Sequence, residues 1–379
     1  MVDRPCLVTN FAYGTGPYLR ITELALSVND HLERLGRPRH RIVLPLVYGS
    51  KQRRIMREEF GREMDARPAE FVLDETLGDL FRETFYGDES YRSYLQRWVA
   101  NFDEWSERIA GYLADEYGES VRFELSRAPR VSLDVSPSYY TSFGYLSEIF
   151  AAERDESDSA LPDELLAVAR DRAVQTEREH DLQFISEPGT FTHRPDRTPG
   201  YPAEELVPPL MEPPELPETE PERGIYVTVS GIPGLEDIYR EARSLGYKVY
   251  TNDPGALGGG EWALPSVMAS DAIEFHVARA GWGSVWLSLF TETPLLMPPW
   301  RPSDDPEIRY NVRAVEETGI GNTFNERQPK LPPDRGKRIR SNMRDLKDEL
   351  RTDYGTLSGI DVAGERIATD VAERAGAER

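Results

Sequence analysis

The chain has 379 residues, of which 39% are hydrophobic and 10% aromatic. This is enough for two domains with buried cores, and too apolar for a disordered chain. The net charge of −22 argues against nucleic acid as a general partner, because phosphate backbones need a basic surface. The sequence has neither a run of about 18 apolar residues nor a signal-peptide pattern, so no membrane span is expected.

Cysteine and lysine are both rare. The single cysteine, Cys6, cannot form an internal disulfide, and it lies in an apolar run, which indicates a buried thiol and a cytoplasmic protein. Only five lysines accompany the many arginines. An acidic, lysine-poor surface is halophile-like and suits a salt-rich cytoplasm, whereas a GC-rich genome would also favour arginine over lysine.

The first half of the chain alternates strands and helices. A buried strand is predicted at 6–10, followed by a glycine turn, an amphipathic helix that Gly36 ends, and a second strand at 41–49. This βαβ pattern predicts a parallel sheet. Residues 51–118 are expected to be mainly helical, with a strand at "VRFEL", helices at "YYTSFGYLSEIFAAER" and "DELLAVARDRAVQTERE", and a strand at "DLQFISEPGTF".

A proline-rich, acidic stretch separates this half from a second alternating pattern. Proline removes backbone donors, so residues 192–223 are expected to be an extended linker, or else a long surface loop. The predicted domains are 1–191 and 224–329, with C-terminal helices over 330–379. Strands in the second domain are predicted at "GIYVTVSG", "YKVYTND", "AIEFHVAR" and "PLLMPP".

Three strand-to-helix turns have the composition of a ligand site. In open parallel sheets, ligands bind at the carboxyl ends of strands, where helix N-termini attract phosphate. The residues of the three turns are Gly281, Trp282, Gly283 and Ser284, with Arg279 and His276 just before them; Ser230 and Gly231; and Gly14, Thr15 and Gly16, with Tyr18 just after them.

Each turn also has a structural explanation. The first can be a tight turn that Ser284 caps, with His276 a hydrogen-bonded core residue. The third is a poor dinucleotide fingerprint, because Leu19 stands at the third glycine position. Asp304, Asp305 and Glu307 precede a further predicted helix, where they can accept hydrogen bonds from sugar hydroxyls or cap that helix. The histidines show no metal-ligand spacing, so no metal site is expected.

Residues 269–321 resemble the C-terminal donor-binding domain of GT-B glycosyltransferases, most nearly the relatives of the peptidoglycan N-acetylglucosaminyltransferase and the UDP-glycosyltransferases. "YVTVSGIPG" and "YGTGPY" stand where that family has its other glycine turns. The positions that match the family pattern are Arg279, Gly281, Gly283, Ser284, Pro294, Pro298, Asp305, Asn311, Glu317, Gly319 and Gly321.

The resemblance implies two Rossmann-like doubly wound domains facing a cleft, with the C-terminal helices crossing back to the first domain. It also implies a metal-independent, cofactor-free glycosyltransferase that takes a nucleotide-sugar donor such as a UDP-sugar in the second domain. The acceptor hydroxyl would bind in the first domain. The acceptor's identity, the sugar and base, the stereochemical course and the oligomeric state stay open.

Two positions depart from the family pattern. Leu287 stands where such families have a glutamate for the ribose, and Tyr18 stands where they have a histidine base; a tyrosine of ordinary pKa is a poor base at neutral pH. The catalytic residues are therefore not assigned. A catalytically silent ligand-binding or assembly protein, and a UDP-sugar 2-epimerase, remain alternatives.

Overall fold

The structure, a computed structural model, describes residues 4–87, 89–189, 198–228, 235–255, 258–302, 304–324, 330–332, 334 and 336–377. These residues form two compact units. Unit 1 contains the chain up to Ser186, a segment that ends at Leu210, and everything from Gly359 onward. Unit 2 contains Met211–Ser358 and a short stretch that begins at Glu187.

Unit 1 is built on a seven-stranded parallel sheet of order β3-β2-β1-β4-β5-β6-β7. Its elements up to the end of the sheet are β1 (Cys6–Phe11), α1 (Thr15–Arg34), β2 (Arg41–Pro45), α2 (Gly49–Ala66), β3 (Phe71–Asp74), α3 (Glu75–Glu83), α4 (Tyr91–Glu116), β4 (Val121–Arg127), β5 (Ser138–Ser142), α5 (Leu146–Arg154), α6 (Asp163–Arg178), β6 (Leu182–Ser186) and β7 (Glu204–Val207).

Unit 2 is built on a six-stranded parallel sheet of order β10-β9-β8-β11-β12-β13. Its elements are β8 (Gly224–Val227), α7 (Leu235–Ser244), β9 (Lys248–Thr251), β10 (Glu261–Trp262), β11 (Ile273–Val277), α8 (Trp282–Thr291), β12 (Leu295–Met297), α9 (Pro306–Thr318), β13 (Gly321–Thr323) and α10 (Lys337–Tyr354). The central strands β8, β11 and β12 are buried throughout, as expected where a parallel sheet is covered on both faces.

Both sheets have the doubly wound strand order in which the first and fourth strands lie side by side. The predicted α/β class with two Rossmann-like sheets is thereby confirmed. No helix in the described part of the chain combines the length and apolar character needed to cross a membrane.

The last helix, α11 (Gly359–Ala377), packs on α1 within unit 1. The approach is close at Gly364, where a Cβ atom would lie 2.3 Å from the Ser27 hydroxyl oxygen. The ring Nε2 of His31 lies 2.9 Å from Asp361 Oδ1, and Arg37 donates to the Ala372 carbonyl at 3.0 Å. Helix α10, in contrast, belongs to unit 2, so the two C-terminal helices do not share one unit.

Three strands of unit 1 lie where the sequence predicts other structure. Residues 138–142 form β5, a wholly buried strand, within a segment expected to begin a helix, and β3 interrupts the region expected to be helical. Part of the predicted linker forms β7, which pairs with β6 at the sheet edge. Edge strands often carry charged residues that prevent further pairing. The acidic residues of β7 are of this kind, and in the sequence alone they resemble those of a linker.

A buried carboxyl group lies in the core of unit 1. Glu124 on β4 is 4% exposed, and its Oε1 accepts hydrogen bonds from Asn10 Nδ2 at 2.9 Å and from the Ser126 hydroxyl. Burial raises the pKa of Glu124 from its ordinary value of 4.5 to about 7, against the lowering effect of those two donors. Between these two pH values the folded protein keeps a proton that the unfolded chain has lost, so this group's stabilising contribution falls as pH rises.

We expect Glu124→Gln to remove this pH dependence, because a neutral amide keeps the accepting oxygen and cannot ionise. Relative to the variant, the wild-type free energy of unfolding should fall by up to about 3 kcal/mol between pH 4 and pH 8. Urea titrations at both pH values measure the difference. Glu119→Gln, at an exposed position, is the control and should leave the pH dependence unchanged. An equal response from both variants would contradict the assignment.

Candidate functional site

The strand order of unit 2 reverses between β8 and β11, which are direct neighbours. At such a switch point the connections leaving the two strands go to opposite faces, and the carboxyl ends border a crevice where ligands bind. Helix α8 begins shortly after β11 ends, once residues 278–281 have passed. The turn predicted from the sequence to bind a ligand therefore lies at the position that the topology favours.

The start of α8 has no capping side chain. Gly281 occupies the cap position in an extended conformation, and its carbonyl accepts hydrogen bonds from the N–H groups of Ser284, at 2.9 Å, and Val285, at 3.1 Å. Ser284 is thus the third residue of the helix and does not act as its cap, which removes one of the two roles considered for it. The N–H groups of the first two helical residues are directed beyond the helix start, with the positive end of the helix dipole.

The two glycines of this turn face open space. A Cβ atom added at Gly281 or Gly283 would meet no heavy atom of the described residues within 4 Å. Gly281 also has an ordinary φ of −81°. Neither strain nor packing inside the described part of the chain requires glycine here, so these positions are suited to close approach by a group from outside the chain.

Two other glycines of the matched pattern have internal roles. Gly319 ends α9 with a φ of +66°, and a Cβ there would lie 2.3 Å from the Asn342 amide nitrogen. At Gly321 a Cβ would lie 2.9 Å from the Leu295 carbonyl oxygen. Gly319 and Gly321 are therefore required by close internal packing, whereas Gly281 and Gly283 are not.

The side chain of Trp282 packs inward, away from the open side of the turn. It is 3% exposed, and its Nε1 donates to Asn311 Oδ1 at 2.7 Å. Asn311, which is fully buried on α9, also donates to the Ala280 carbonyl at 2.7 Å. Only the backbone of Trp282 is left to contact a ligand, which corrects the expectation for this residue.

His276 is a core residue of unit 2. It is fully buried in β11, with its Nε2 2.8 Å from the Thr228 hydroxyl and its Nδ1 2.8 Å from the Ser288 hydroxyl. Burial lowers its pKa to about 3, so the ring is neutral at pH 7. The structure therefore favours the core-histidine alternative, in which His276 holds the end of β8 and the body of α8 together.

The charged candidates divide between the site and the next helix. Arg279 and Asp304 are each about a third exposed, and their closest N and O atoms lie 3.7 Å apart. Asp305 caps α9 by accepting from the Glu307 N–H at 2.9 Å, and Glu307 Oε1 lies 3.4 Å from the Asn311 amide. Arg279 is thus the cation beside the turn, while Asp305 takes the capping role. Ser230 and Gly231 lie outside the described residues.

The matching turn in unit 1 joins β1 to α1. Gly14 caps α1 with a φ of +120°, and its N–H donates to the Tyr48 hydroxyl at 2.7 Å. Gly16 lies in the first turn of α1 and is exposed. Tyr18 is 1% exposed, and burial raises the pKa of its hydroxyl well above the ordinary value. Tyr18 is therefore a core residue and cannot act as a base at neutral pH.

An aromatic cluster at this turn, which we call the tyrosine cluster, was not predicted from the sequence. It consists of Tyr13, Tyr48, Phe85 and Tyr86. Tyr13 is 52% exposed, and its ring is steeply inclined to the other three, with ring centres 6.0–6.2 Å apart. The signal was available at Tyr13 and Tyr48, which follow the carboxyl ends of β1 and β2. Phe85 and Tyr86 come from a region predicted only as helical.

Comparison with solved structures identifies the fold. A UDP-glucosyltransferase from Polygonum tinctorium that glucosylates indoxyl aligns over 97% of this chain and 99% of its own, with a TM-score of 0.64 and 16% identity. UGT71G1 of Medicago truncatula, solved with UDP-glucose, aligns over 98% of this chain and 100% of its own, with a TM-score of 0.57 and 14% identity. The glycosyltransferase SnogD from Streptomyces nogalater aligns over 98% of this chain and 100% of its own, with a TM-score of 0.58 and 14% identity.

These alignments establish the fold of the GT-B glycosyltransferases over nearly the whole chain. No protein-family model matches the sequence, and no curated protein sequence matches it. The narrower resemblance to the peptidoglycan N-acetylglucosaminyltransferase stays a prediction.

We expect Asn311→Ala to destabilise unit 2, because it leaves the Trp282 indole N–H and the Ala280 carbonyl without these buried partners. Loss of two such hydrogen bonds should lower the free energy of unfolding by about 2–4 kcal/mol. Chemical denaturation measures the change. Asn322→Ala, an exposed position on β13, should alter stability by no more than about 0.5 kcal/mol. Similar losses in both variants would show that Asn311 does not hold the start of α8.

Proposed function

We propose that this protein is a glycosyltransferase whose unit 2 binds the diphosphate of a nucleotide sugar at the start of α8. The observation that carries the proposal is the start of α8, which has no capping side chain and has two glycines next to open space. It lies at the switch point of the unit 2 sheet. Helix N-termini of this kind bind phosphate through backbone N–H groups and the helix dipole.

The proposed chemistry needs negative charge to be stabilised as the donor breaks down. The bond between the anomeric carbon and the diphosphate oxygen breaks, and a bond to the acceptor hydroxyl oxygen forms. The acceptor's proton passes to a base that is not assigned. Backbone N–H groups at α8, with Arg279 beside them, would stabilise the diphosphate as it leaves. This arrangement supports a reaction without a metal, which is part of the proposal.

A uridine diphosphate sugar is the first donor to test. UGT71G1 was solved with UDP-glucose, and an anthocyanidin 3-O-glucosyltransferase with 12% identity and a TM-score of 0.61 was solved with UDP. The ribose contacts must differ from the pattern in which a glutamate follows the glycine turn, because Leu287 is 5% exposed and has no polar group. We place the protein in the cytoplasm, in keeping with its single, buried cysteine.

The tyrosine cluster supports an acceptor with a planar apolar surface. The cluster lies at the carboxyl ends of β1 and β2, and Tyr13 exposes about half of its surface. Exposed aromatic faces bind planar apolar groups through edge and stacking contacts. We therefore propose that an aromatic alcohol or phenol is the acceptor and that unit 1 contacts it at Tyr13.

A catalytically silent sugar-nucleotide-binding protein is the second candidate. Its support is that Tyr18 and Leu287, which replace the expected base and ribose ligand, both lie in the core. The epimerase is not favoured, because the structures compared above are glycosyltransferases. Release of UDP from a bound UDP-sugar, with or without an acceptor, supports the enzyme; tight binding without any release supports the silent protein.

Gly281→Val tests the donor site, because its side chain would fill the space at which a phosphate approaches the helix start. We expect the affinity for UDP, measured by calorimetry, to fall at least about 100-fold, which corresponds to about 2.8 kcal/mol. In the wild type, UDP at about 100 times Kd should stabilise the fold by about 2.7 kcal/mol.

Gly111→Val is the matched control, because a Cβ atom added at Gly111, on α4, would also meet no neighbour within 4 Å. It should leave UDP affinity unchanged. Full affinity in the Gly281→Val variant would place the nucleotide elsewhere.

Tyr13→Ala tests the acceptor surface. We expect the KM for a phenolic acceptor to rise about tenfold, with UDP affinity unchanged, because the variant removes one aromatic contact surface in unit 1. Trp262→Ala is the control, since Trp262 is equally exposed at 52% but lies on β10 of unit 2. If the KM were the same in the Tyr13→Ala variant and the wild type, the acceptor would not bind at the tyrosine cluster.

A further inference from the structure

A cavity lies in unit 1, at the opposite end of the sheet from Gly14. Its volume is about 340 Å³, and it opens at the amino ends of β1, β2 and β3. The polar residues that line it are Arg4, Arg39, His40, Arg41, Arg67 and Glu70. We call it the arginine cavity. Four arginines around one cavity are unexpected in a chain of net charge −22.

The one acidic side chain of the lining is already neutralised by Arg39. Glu70 accepts from Arg39 Nε at 2.9 Å and from Arg39 Nη2 at 2.8 Å, and its Oε1 also accepts from Asn29 at 2.7 Å. Arg39 forms a further ion pair with Asp30. Glu33 also pairs with Arg39, at 3.3 Å. Arg39 is therefore fully neutralised by carboxylates and adds no free positive charge to the cavity.

No ion pair is found for Arg4, Arg41 or Arg67 among the described residues; Arg4 and Arg67 are exposed, and Arg41 is half-buried. The Nε–H of Arg41 is buried and has no hydrogen-bond acceptor there. Buried donors in native proteins are nearly always paired, and an unpaired one indicates a missing water, ion or ligand. For a guanidinium group, the missing partner is best supplied by an anion.

His40 adds a second unpaired group to the same wall. It is 7% exposed, and its ring Nδ1 has no hydrogen-bond partner among the described residues. Burial, and then the charge of Arg122, lower its pKa to about 4, against the smaller raising effect of the ring's hydrogen bond with the Pro38 backbone. The ring is neutral at pH 7, so it lines the cavity without adding charge.

Hydrogen bonds between main-chain groups fix the backbone that carries these side chains. The Arg41 N–H donates to the Pro5 carbonyl at 2.9 Å, the Ile42 N–H to the Glu70 carbonyl at 2.7 Å, and the Glu70 N–H to the Arg67 carbonyl at 3.0 Å. Arg67 follows the last residue of α2, where a cation also compensates the negative end of the helix dipole. That role does not apply to Arg4 or Arg41, which lie at or just before the starts of strands.

We infer that the arginine cavity binds a phosphate monoester or inorganic phosphate. Guanidinium groups match phosphate oxygens in paired hydrogen bonds. Three arginines without a carboxylate partner suit a dianion with several acceptor oxygens better than a carboxylate with one charge. The site lies away from the carboxyl ends of the strands, so it is independent of the proposed reaction and would serve an effector or an anchoring group.

The test is a calorimetric titration of the full-length protein with inorganic phosphate at low ionic strength, against chloride as a reference. We expect the Arg4→Gln/Arg41→Gln double variant to lose at least tenfold in affinity. The Arg4→Gln single variant, at an exposed position, should show a smaller loss with the fold unchanged, so a folding defect at Arg41 would not hide the result.

Two controls show whether the binding belongs to this cavity. Arg62→Gln, an arginine of α2 outside the lining, should bind phosphate as the wild type does. Gly281→Val should also leave this binding unchanged, even where it abolishes UDP binding. No preference for phosphate over chloride, or an equal loss in the Arg62→Gln variant, would overturn the proposal.

The source of the phosphate group is a separate measurement. Glycerol 3-phosphate competes with inorganic phosphate if the ligand is a soluble monoester. Sedimentation with phosphatidylcholine vesicles that contain phosphatidic acid, compared with phosphatidylcholine alone, reports a lipid headgroup. Competition by glycerol 3-phosphate, or binding to the phosphatidic acid vesicles, supports the site if the double variant loses it. If the wild type shows neither of these and does not bind inorganic phosphate, the proposal is refuted.

Discussion

The two hydrogen bonds of Asn311 determine how the start of α8 is presented. They join the Ala280 carbonyl and the Trp282 indole to α9 from the inner side of the turn. A helix start is more often fixed from the outside, by a side chain that caps its N–H groups. Here the turn is fixed from within, so the N–H groups at the open side need not be used for stability. The proposed donor site depends on this division between an anchored inner face and an open outer face.

The sequence predicts the parallel sheets and the beginning of α8, and it fails where an assignment depends on distant partners. The apolar runs of β8, β11 and β12 and the turn before α8 are local signals. Trp282 and His276 looked like ligand residues because they lie in and before that turn. Their side chains are directed by Asn311, by Thr228 and by Ser288, and local spacing cannot specify these pairings.

The errors in the fold have a similar origin. Residues 138–142 contain two tyrosines beside hydroxyl residues, which is compatible with either a helix or a strand; pairing with β4 and β6 makes them a strand. In β7 only Val207 is buried, so the strand lacks an apolar run, and its pairing with β6 makes it a strand. The role of a glycine is equally hard to predict from the sequence. Gly319 and Gly321 are required by close internal packing, while Gly281 and Gly283 leave a surface open. The residue type is the same, and only the surroundings distinguish the two uses.

The packing of α11 on α1 affects the order in which unit 1 can fold during translation. Ser27 on α1 lies against Gly364 on α11, and all of unit 2 is synthesised between them. The nascent first sheet is therefore synthesised with one side of α1 uncovered until α11 has followed unit 2 out of the ribosome. A chaperone that shields this side would limit aggregation during that interval.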